Sequence, residues 1–197
     1  KSKFDGQLRA FENLGFDVYY LAFDAAHFYM VNKGQKTIVG NTHFQFPAYM
    51  HSMLYWNLYS IAGKMLKKYD FDCVYWRYAP NWYASYRLAK QLRRARAKFI
   101  YEYPTYPLRS EKYTGFLRSS LILQYSVFWT KTVDNLADAF VLIGEDAHGV
   151  YKGKPAVNIS NGVSLDLISP RHPKHDPNTL HILALASMSP WHGYDRL

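Results

Sequence analysis

The side chains best suited to chemistry fall in short segments, each placed just after a stretch that reads as a strand. Arg77-Tyr78-Ala79-Pro80 is the first, and Glu102-Tyr103-Pro104-Thr105-Tyr106-Pro107 is the second. Gly144-Glu145-Asp146 and Asn161-Gly162 follow, and Ser187-Met188-Ser189-Pro190-Trp191-His192-Gly193 is the last. A carboxylate in a dry cleft has a raised pKa and can accept a hydroxyl proton, so Glu102 reads as a general base. The other reading is a structural acid paired with Arg77 or with a backbone amide. The Arg77 guanidinium suits a phosphate or a sugar hydroxyl, and it suits an ion pair with a neighbouring carboxylate just as well. Tyr78, Trp82, Tyr83, Tyr103 and Tyr106 could stack on sugar faces or serve as ordinary semi-buried packing. The His192-Gly193 pair could let the backbone approach a diphosphate at a helix N-terminus.

Other chemistries lack their signatures. The chain has eight histidines, but they form neither an HExxH element nor an i, i+4 pair with a carboxylate. His172 and His175 read as solvated, and no metal site is expected. No P-loop, GxSxG element or complete GxGxxG occurs. Asn158-Ile159-Ser160 matches a glycosylation sequon but sits in an expected buried strand.

The elements that must position these residues alternate. A helix is expected from Gln7 to Leu14, with Leu8, Phe11 and Leu14 on one face and Gly15 as its stop. Asp17–Phe23 reads as a strand. Phe28–Val31 and Thr37–Val39 flank the hairpin turn Asn32-Lys33-Gly34-Gln35. A long helix spans about Phe46–Tyr69, striped by Leu54, Leu58, Ile61 and Met65. Then come a strand at Asp72–Trp76, a helix at Ala84–Arg96, a strand at Lys98–Glu102 and a Pro- and Tyr-rich loop at Tyr103–Lys112. A helix at Arg118–Leu136, a strand at Ala139–Ile143, a short helix and a strand at Ala156–Ser160 complete the unit. Strands alternating with helices of this length favour βαβ units, that is, an α/β, Rossmann-like parallel sheet with helices on both faces. In such a sheet, ligands bind at the carboxyl ends of the strands.

Residues 1–169 thus read as one domain, and residues 170–178, with three prolines, as a linker. Residues 179–197 read as the start of a second domain, opened by the strand His181–Ala186. The chain begins at Lys1 on helix-like sequence, so the natural N-terminus is expected to be missing.

Hydrophobic residues make up 49% and charged residues 20%, a balance that folds. Cys73 is the single cysteine, which excludes an internal disulfide and suits a reducing compartment. No apolar run approaches the ~20 residues that span a bilayer. A net charge of +9 accompanies 18 Tyr, 12 Phe and 5 Trp. Charge alone admits a nucleic acid, an anionic membrane surface or a phosphorylated substrate.

Several segments, in order, resemble glycosyltransferase family 4, which has the GT-B fold. KSKFDGQLRAFENLGFDVYYL is similar to the family's first helix and second strand. VYWRYAP, IYEYPTYPL, ISNGVSLDLISP and ASMSPWHGYDRL follow in the family's order. IYEYPTYP resembles a subgroup that builds bacterial surface polysaccharides. The resemblance covers essentially the whole chain. It implies transfer of a hexosyl group from a nucleotide-diphosphate sugar to a hydroxyl acceptor, with retention and with neither metal nor cofactor. It also implies that residues 1–169 form the acceptor side and that the donor binds mainly to the truncated second domain. On this resemblance Glu102 is the catalytic candidate. Arg77, Tyr103, Thr105, Tyr106 and Asn161 would bind the acceptor, and Ser187, His192 and Gly193 the donor phosphates.

The sequence departs from the family at several places. His192 stands where many members have Lys, Ser164 where Asp often follows Asn-Gly-Val, and Gly144 where many have Ser. The first strand with its Gly-rich loop is absent, as is the late Glu-x7-Glu motif. The implied partners are a sugar nucleotide and a carbohydrate or lipid-linked acceptor. The implied location is the cytoplasm, at the inner face of the plasma membrane if basic residues such as Lys67, Lys68, Lys90, Arg93, Arg94, Arg96 and Lys98 dock there. No nucleic-acid motif is present. A non-enzymatic glycan- or nucleotide-binding α/β module is the alternative.

Overall fold

The computed structural model describes residues 3–42, 51–79, 81–106, 117–144 and 149–160. These all fall in the first of two compact units, Lys1–Val163; the second unit, Ser164–Leu197, lies outside the described residues. The expected linker and the start of a second domain therefore lie there too.

Helix α1, Lys3–Asn13, ends as the sequence suggests. Gly15 takes φ 87°. Its N–H donates to the Glu12 carbonyl at 2.9 Å, and the Phe16 N–H reaches back to the Phe11 carbonyl at 3.1 Å. This is a Schellman stop, and the Phe11 and Phe16 rings meet edge-on at 6.2 Å as its apolar seal. Leu14 falls beyond the helix and is exposed, so it does not belong to the buried stripe.

Strands β1 (Tyr19–Phe23), β2 (His27–Asn32) and β3 (Gln35–Asn41) form an antiparallel three-stranded sheet of their own. The alternating order had placed the first of these in the parallel sheet. The physical reason for the difference is the connection: Asp24 to Ala26 is too short for a crossover, which needs about a dozen residues. The Asp24 carboxylate accepts the N–H groups of Ala26 and His27, each at 2.8 Å, and turns the chain back on itself. The next turn is the expected hairpin: Lys33 and Gly34 both have positive φ, and Asn32 pairs with Gln35. Gly40 lies against Ile61 of helix α2, His51–Lys68, and beside Phe28, which is fully buried.

The second sheet has the order β4-β5-β6-β8-β7. Strands β4 (Cys73–Arg77), β5 (Lys98–Tyr106), β6 (Ala139–Gly144) and β8 (Lys154–Ile159) run parallel, and β7 (Val150–Tyr151) is an antiparallel edge. Helices α3 (Tyr83–Ala95) and α4 (Leu117–Asp134) join α2 over one face. Leu88, Ala89 and Leu92 of α3 and Val133 of α4 pack there on Trp76, Phe99, Tyr101, Tyr103, Phe140 and Leu142. Each large side chain so buried contributes roughly 1.5–3 kcal/mol. α1 lies on the opposite face, where Phe11 meets Tyr75 edge-on at 5.4 Å. The chain is therefore a mixed α/β, Rossmann-like fold with a mostly parallel sheet flanked by helices.

Two local expectations change. β5 continues to Tyr106, so the Tyr- and Pro-rich segment begins as strand and not as loop. Pro104 has no N–H to give the ladder, and the pairing with β6 shifts register between Tyr103 and Tyr106 for that reason. After β6 the described chain is the β7–β8 hairpin, turned by Lys152 and Gly153 at positive φ. The short helix expected before the last strand would fall partly on residues 145–148, outside the described residues.

Candidate functional site

Because β4, β5, β6 and β8 are parallel, their carboxyl ends share one rim. Arg77 is the last residue of β4, in register with Glu102 of β5. The Tyr78 N–H donates to the Glu102 carbonyl at 2.7 Å, which carries the chain one residue further along β5 before it leaves for α3.

Residue parity then sorts the side chains between the two faces. Tyr75, Arg77 and Glu102 point to the α1 face, and Trp76, Tyr101 and Tyr103 point to the helix-layer face. Glu102 is fully buried. Its Oε2 accepts the Tyr75 hydroxyl at 2.5 Å and the Gln7 amide at 3.2 Å. Its Oε1 faces the Arg77 guanidinium at 3.5 Å and accepts no hydrogen bond of good geometry. Burial, followed by the hydrogen bond to Glu102, pushes the Tyr75 hydroxyl well above its ordinary 10.0, so Tyr75 remains a donor. The result is a carboxylate fixed through one oxygen, with the other turned to a cation that is partly open to solvent.

Glu102 is the middle of a nine-residue strand and not its end, as the loop reading had it. It meets Arg77, the pairing the sequence left open. Arg77 itself retains 27% side-chain exposure at the rim. Tyr103 differs from its expected role. It is 1% exposed, its ring stacks on Tyr78 at 5.3 Å, and its hydroxyl donates to Asp134 at 2.6 Å. A ring enclosed in this way offers no face to a sugar. Thr105 and Tyr106 close β5, with Tyr106 paired to Gly144. Asn161, Ser187, His192 and Gly193 lie outside the described residues. The rim thus unites Arg77, Tyr78, the end of β5 and Gly144.

Sequence reasoning missed the residues that hold this rim. Asn81, fully buried, donates its side-chain amide to the Tyr101 hydroxyl at 2.6 Å and to Thr130 Oγ1 at 3.1 Å. Its backbone N–H donates to Ser126 Oγ at 3.1 Å. These bonds fasten the loop after β4 to α4. Asp134, also buried, takes Tyr103 and the Lys152 ammonium. Lys154 caps the end of α4 by donating to the carbonyls of Asn135, at 2.8 Å, and of Asp134 and Ala137. Asn81 had a signal, a short polar residue just ahead of a helix. Gln7 had none, because its partners depend on where α1 docks.

The class defined by this fold is that of Rossmann-like α/β proteins with a mostly parallel sheet flanked by helices. Beyond that class, no family model, no curated protein and no solved structure matches the chain. Among the described residues, no helix is long and apolar enough to cross a membrane.

Proposed function

We propose that the chain is the acceptor-side part of a glycosyltransferase that moves a sugar from a nucleotide-diphosphate donor to a hydroxyl acceptor in bacterial surface polysaccharide or glycolipid synthesis. The observation that supports this reading most is the shared rim. The segments that carry the resemblance, VYWRYAP and IYEYPTYP, lie side by side where β4 and β5 approach the edge of a parallel sheet, the place where such sheets take ligands. On this reading Arg77 binds an oxygen of the substrate, and Glu102 holds the guanidinium in place. The enclosure of Glu102 by Tyr75, Gln7 and Arg77 favours this positioning role over that of a general base.

The test uses the gene's full reading frame. The purified protein is incubated with a panel of sugar nucleotides, with and without membrane extract, and released nucleoside diphosphate is measured. Release that needs one donor and the extract is the expected result. Arg77→Ala should then lower kcat/KM about 100-fold, equivalent to roughly 2.7 kcal/mol. The 197-residue chain alone should give no turnover. Absence of both release and donor binding would reject the reading and leave a non-enzymatic binding module.

A further inference from the structure

The charges of the described residues are unevenly distributed. Helices α2, α3 and α4 contain one acid between them, Asp134. It is 1% exposed and already taken by Tyr103 and Lys152. The exposed acids among the described residues lie off these helices: Glu12 on α1, Asp17 and Asp24 beside the antiparallel sheet, and Asp70, Asp72 and Asp138 in the turns that lead into β4 and β6. The exposed charges that α2, α3 and α4 themselves carry are therefore all cationic among the described residues, and Asp70 and Asp72 offset them only at the end where Arg96 and Lys98 lie.

Its centre is a groove of about 180 Å³ between α2 and α3. Lys64, Lys67 and Arg87 line it, no acid does, and Trp56 stands at its margin with 47% of its surface exposed. None of these three cations forms an ion pair among the described residues. Gly63 lets the two helices close at its floor, since a Cβ there would lie 2.5 Å from Gln91 Oε1.

Next to the groove, α3 and α4 share an aromatic ridge. Tyr83 meets Trp129 at 5.4 Å, and Trp129 meets Tyr125 at 5.8 Å and Phe128 at 5.1 Å. Lys90 sits over the Tyr86 ring at 5.1 Å. Phe128 is 60% exposed and Val127 46%, although neither has a polar group to present to water.

We propose that this helix-layer surface docks on an anionic lipid bilayer, with the groove cations on lipid phosphates and the Trp56–Tyr83–Phe128 side at headgroup depth. Cations beside amphipathic rings and a few exposed apolar side chains are what an interfacial surface requires. A nucleic acid fits less well. Successive bases need open ring faces, whereas these rings meet edge to face at 63°, 71° and 80°. The proposal does not depend on glycosyl transfer.

The test is co-sedimentation of the 197-residue chain with vesicles of phosphatidylcholine alone or with about one-third phosphatidylglycerol. Binding should require the anionic lipid and weaken with salt. Lys64→Ala with Arg87→Ala should weaken it about 25-fold, roughly five-fold for each cation removed near the surface. Phe128→Ser should also weaken it, and brominated acyl chains should quench the tryptophan fluorescence of the parent more than that of this variant. The substituted side chains are all exposed, and circular dichroism checks that each variant is folded. Failure to bind the anionic vesicles, equal binding to neutral ones, indifference to both sets of substitutions, or tighter binding to a single-stranded oligonucleotide would each overturn the proposal.

Discussion

Arg77 and Glu102 stand directly opposite each other on β4 and β5, with the guanidinium 3.5 Å from a carboxylate that has no solvent exposure. Removing one partner strands the other. Arg77→Leu should cost about 3 kcal/mol, because a buried charge is left without its counter-ion. Adding Glu102→Leu to it should restore part of that loss, since neither charge then remains to be desolvated. Urea unfolding of the single and double variants measures both numbers. Additive losses would mean that the two side chains are not coupled, and Arg77 would then lack its anchor.

Asn81 tests how the rim is held. Asn81→Ala removes the donor to Tyr101 and Thr130 and should cost about 1–3 kcal/mol, as both hydroxyls are buried. The loss should be local as well as global. Hydrogen exchange at the Asn81 amide, which donates to Ser126, should speed up more than exchange in β6. Equal acceleration throughout would show that the network stabilises the fold without fixing the loop.

How much of this was legible depends on the kind of signal. α3 was, because Leu88 and Leu92 fall inside while Lys90, Arg93 and Arg94 fall outside, a pattern of period 3.6, although Ala95, which that pattern also put inside, is exposed in the last turn. The Asn32–Gln35 turn was legible from its chemistry. The same chemistry, a Lys-Gly pair, stands at Lys152-Gly153, where it marks the β7–β8 hairpin that was overlooked. The separate antiparallel sheet was misplaced because a strand's own sequence does not say which sheet it joins; only the three-residue connection from Asp24 to Ala26 could have shown it. At the site, Arg77 and Glu102 were both singled out, but parity was not applied. Counting by twos along β5 puts Tyr103 on the face opposite Glu102, and hence in the core. The contribution of Gln7, which comes from another element on that face, could not be counted out in any such way.

Burial sets a limit on alkaline stability. It pushes the hydroxyls of Tyr59, Tyr75, Tyr101 and Tyr103 above the ordinary 10.0. A folded pKa above the unfolded one favours the protonated, folded state. The associated stability is fully present below pH 10.0 and is lost as pH rises above it. In an absorbance titration these four should ionise only with unfolding, together with the near-ultraviolet dichroism. Tyr75→Phe leaves Glu102 one donor short and should lower stability at neutral pH by about 1–3 kcal/mol. Smooth ionisation of all tyrosines in a folded chain would contradict the enclosed positions of Tyr101 and Tyr103.

Three non-glycine residues, Lys33, Arg96 and Lys152, share a left-handed backbone, with φ of 47°, 59° and 52°. The strain is common to them, but the surroundings are not, so their replacement by glycine should have different outcomes. Arg96 closes α3 in the position that glycine favours, and its side chain is exposed. Arg96→Gly should stabilise by about 1 kcal/mol. Lys33 pairs with Asp17 between two exposed side chains, a contact of little worth, so Lys33→Gly should be near neutral. Lys152 supplies the ammonium that faces the buried Asp134. Lys152→Gly should therefore destabilise by about 1–3 kcal/mol in spite of the relieved backbone, because Asp134 keeps a buried charge with one partner fewer. Thermal unfolding of the three variants should rank them Arg96→Gly above Lys33→Gly above Lys152→Gly. If Lys152→Gly were instead as stable as Arg96→Gly, the Asp134 pair would contribute nothing to holding the β7–β8 hairpin against α4.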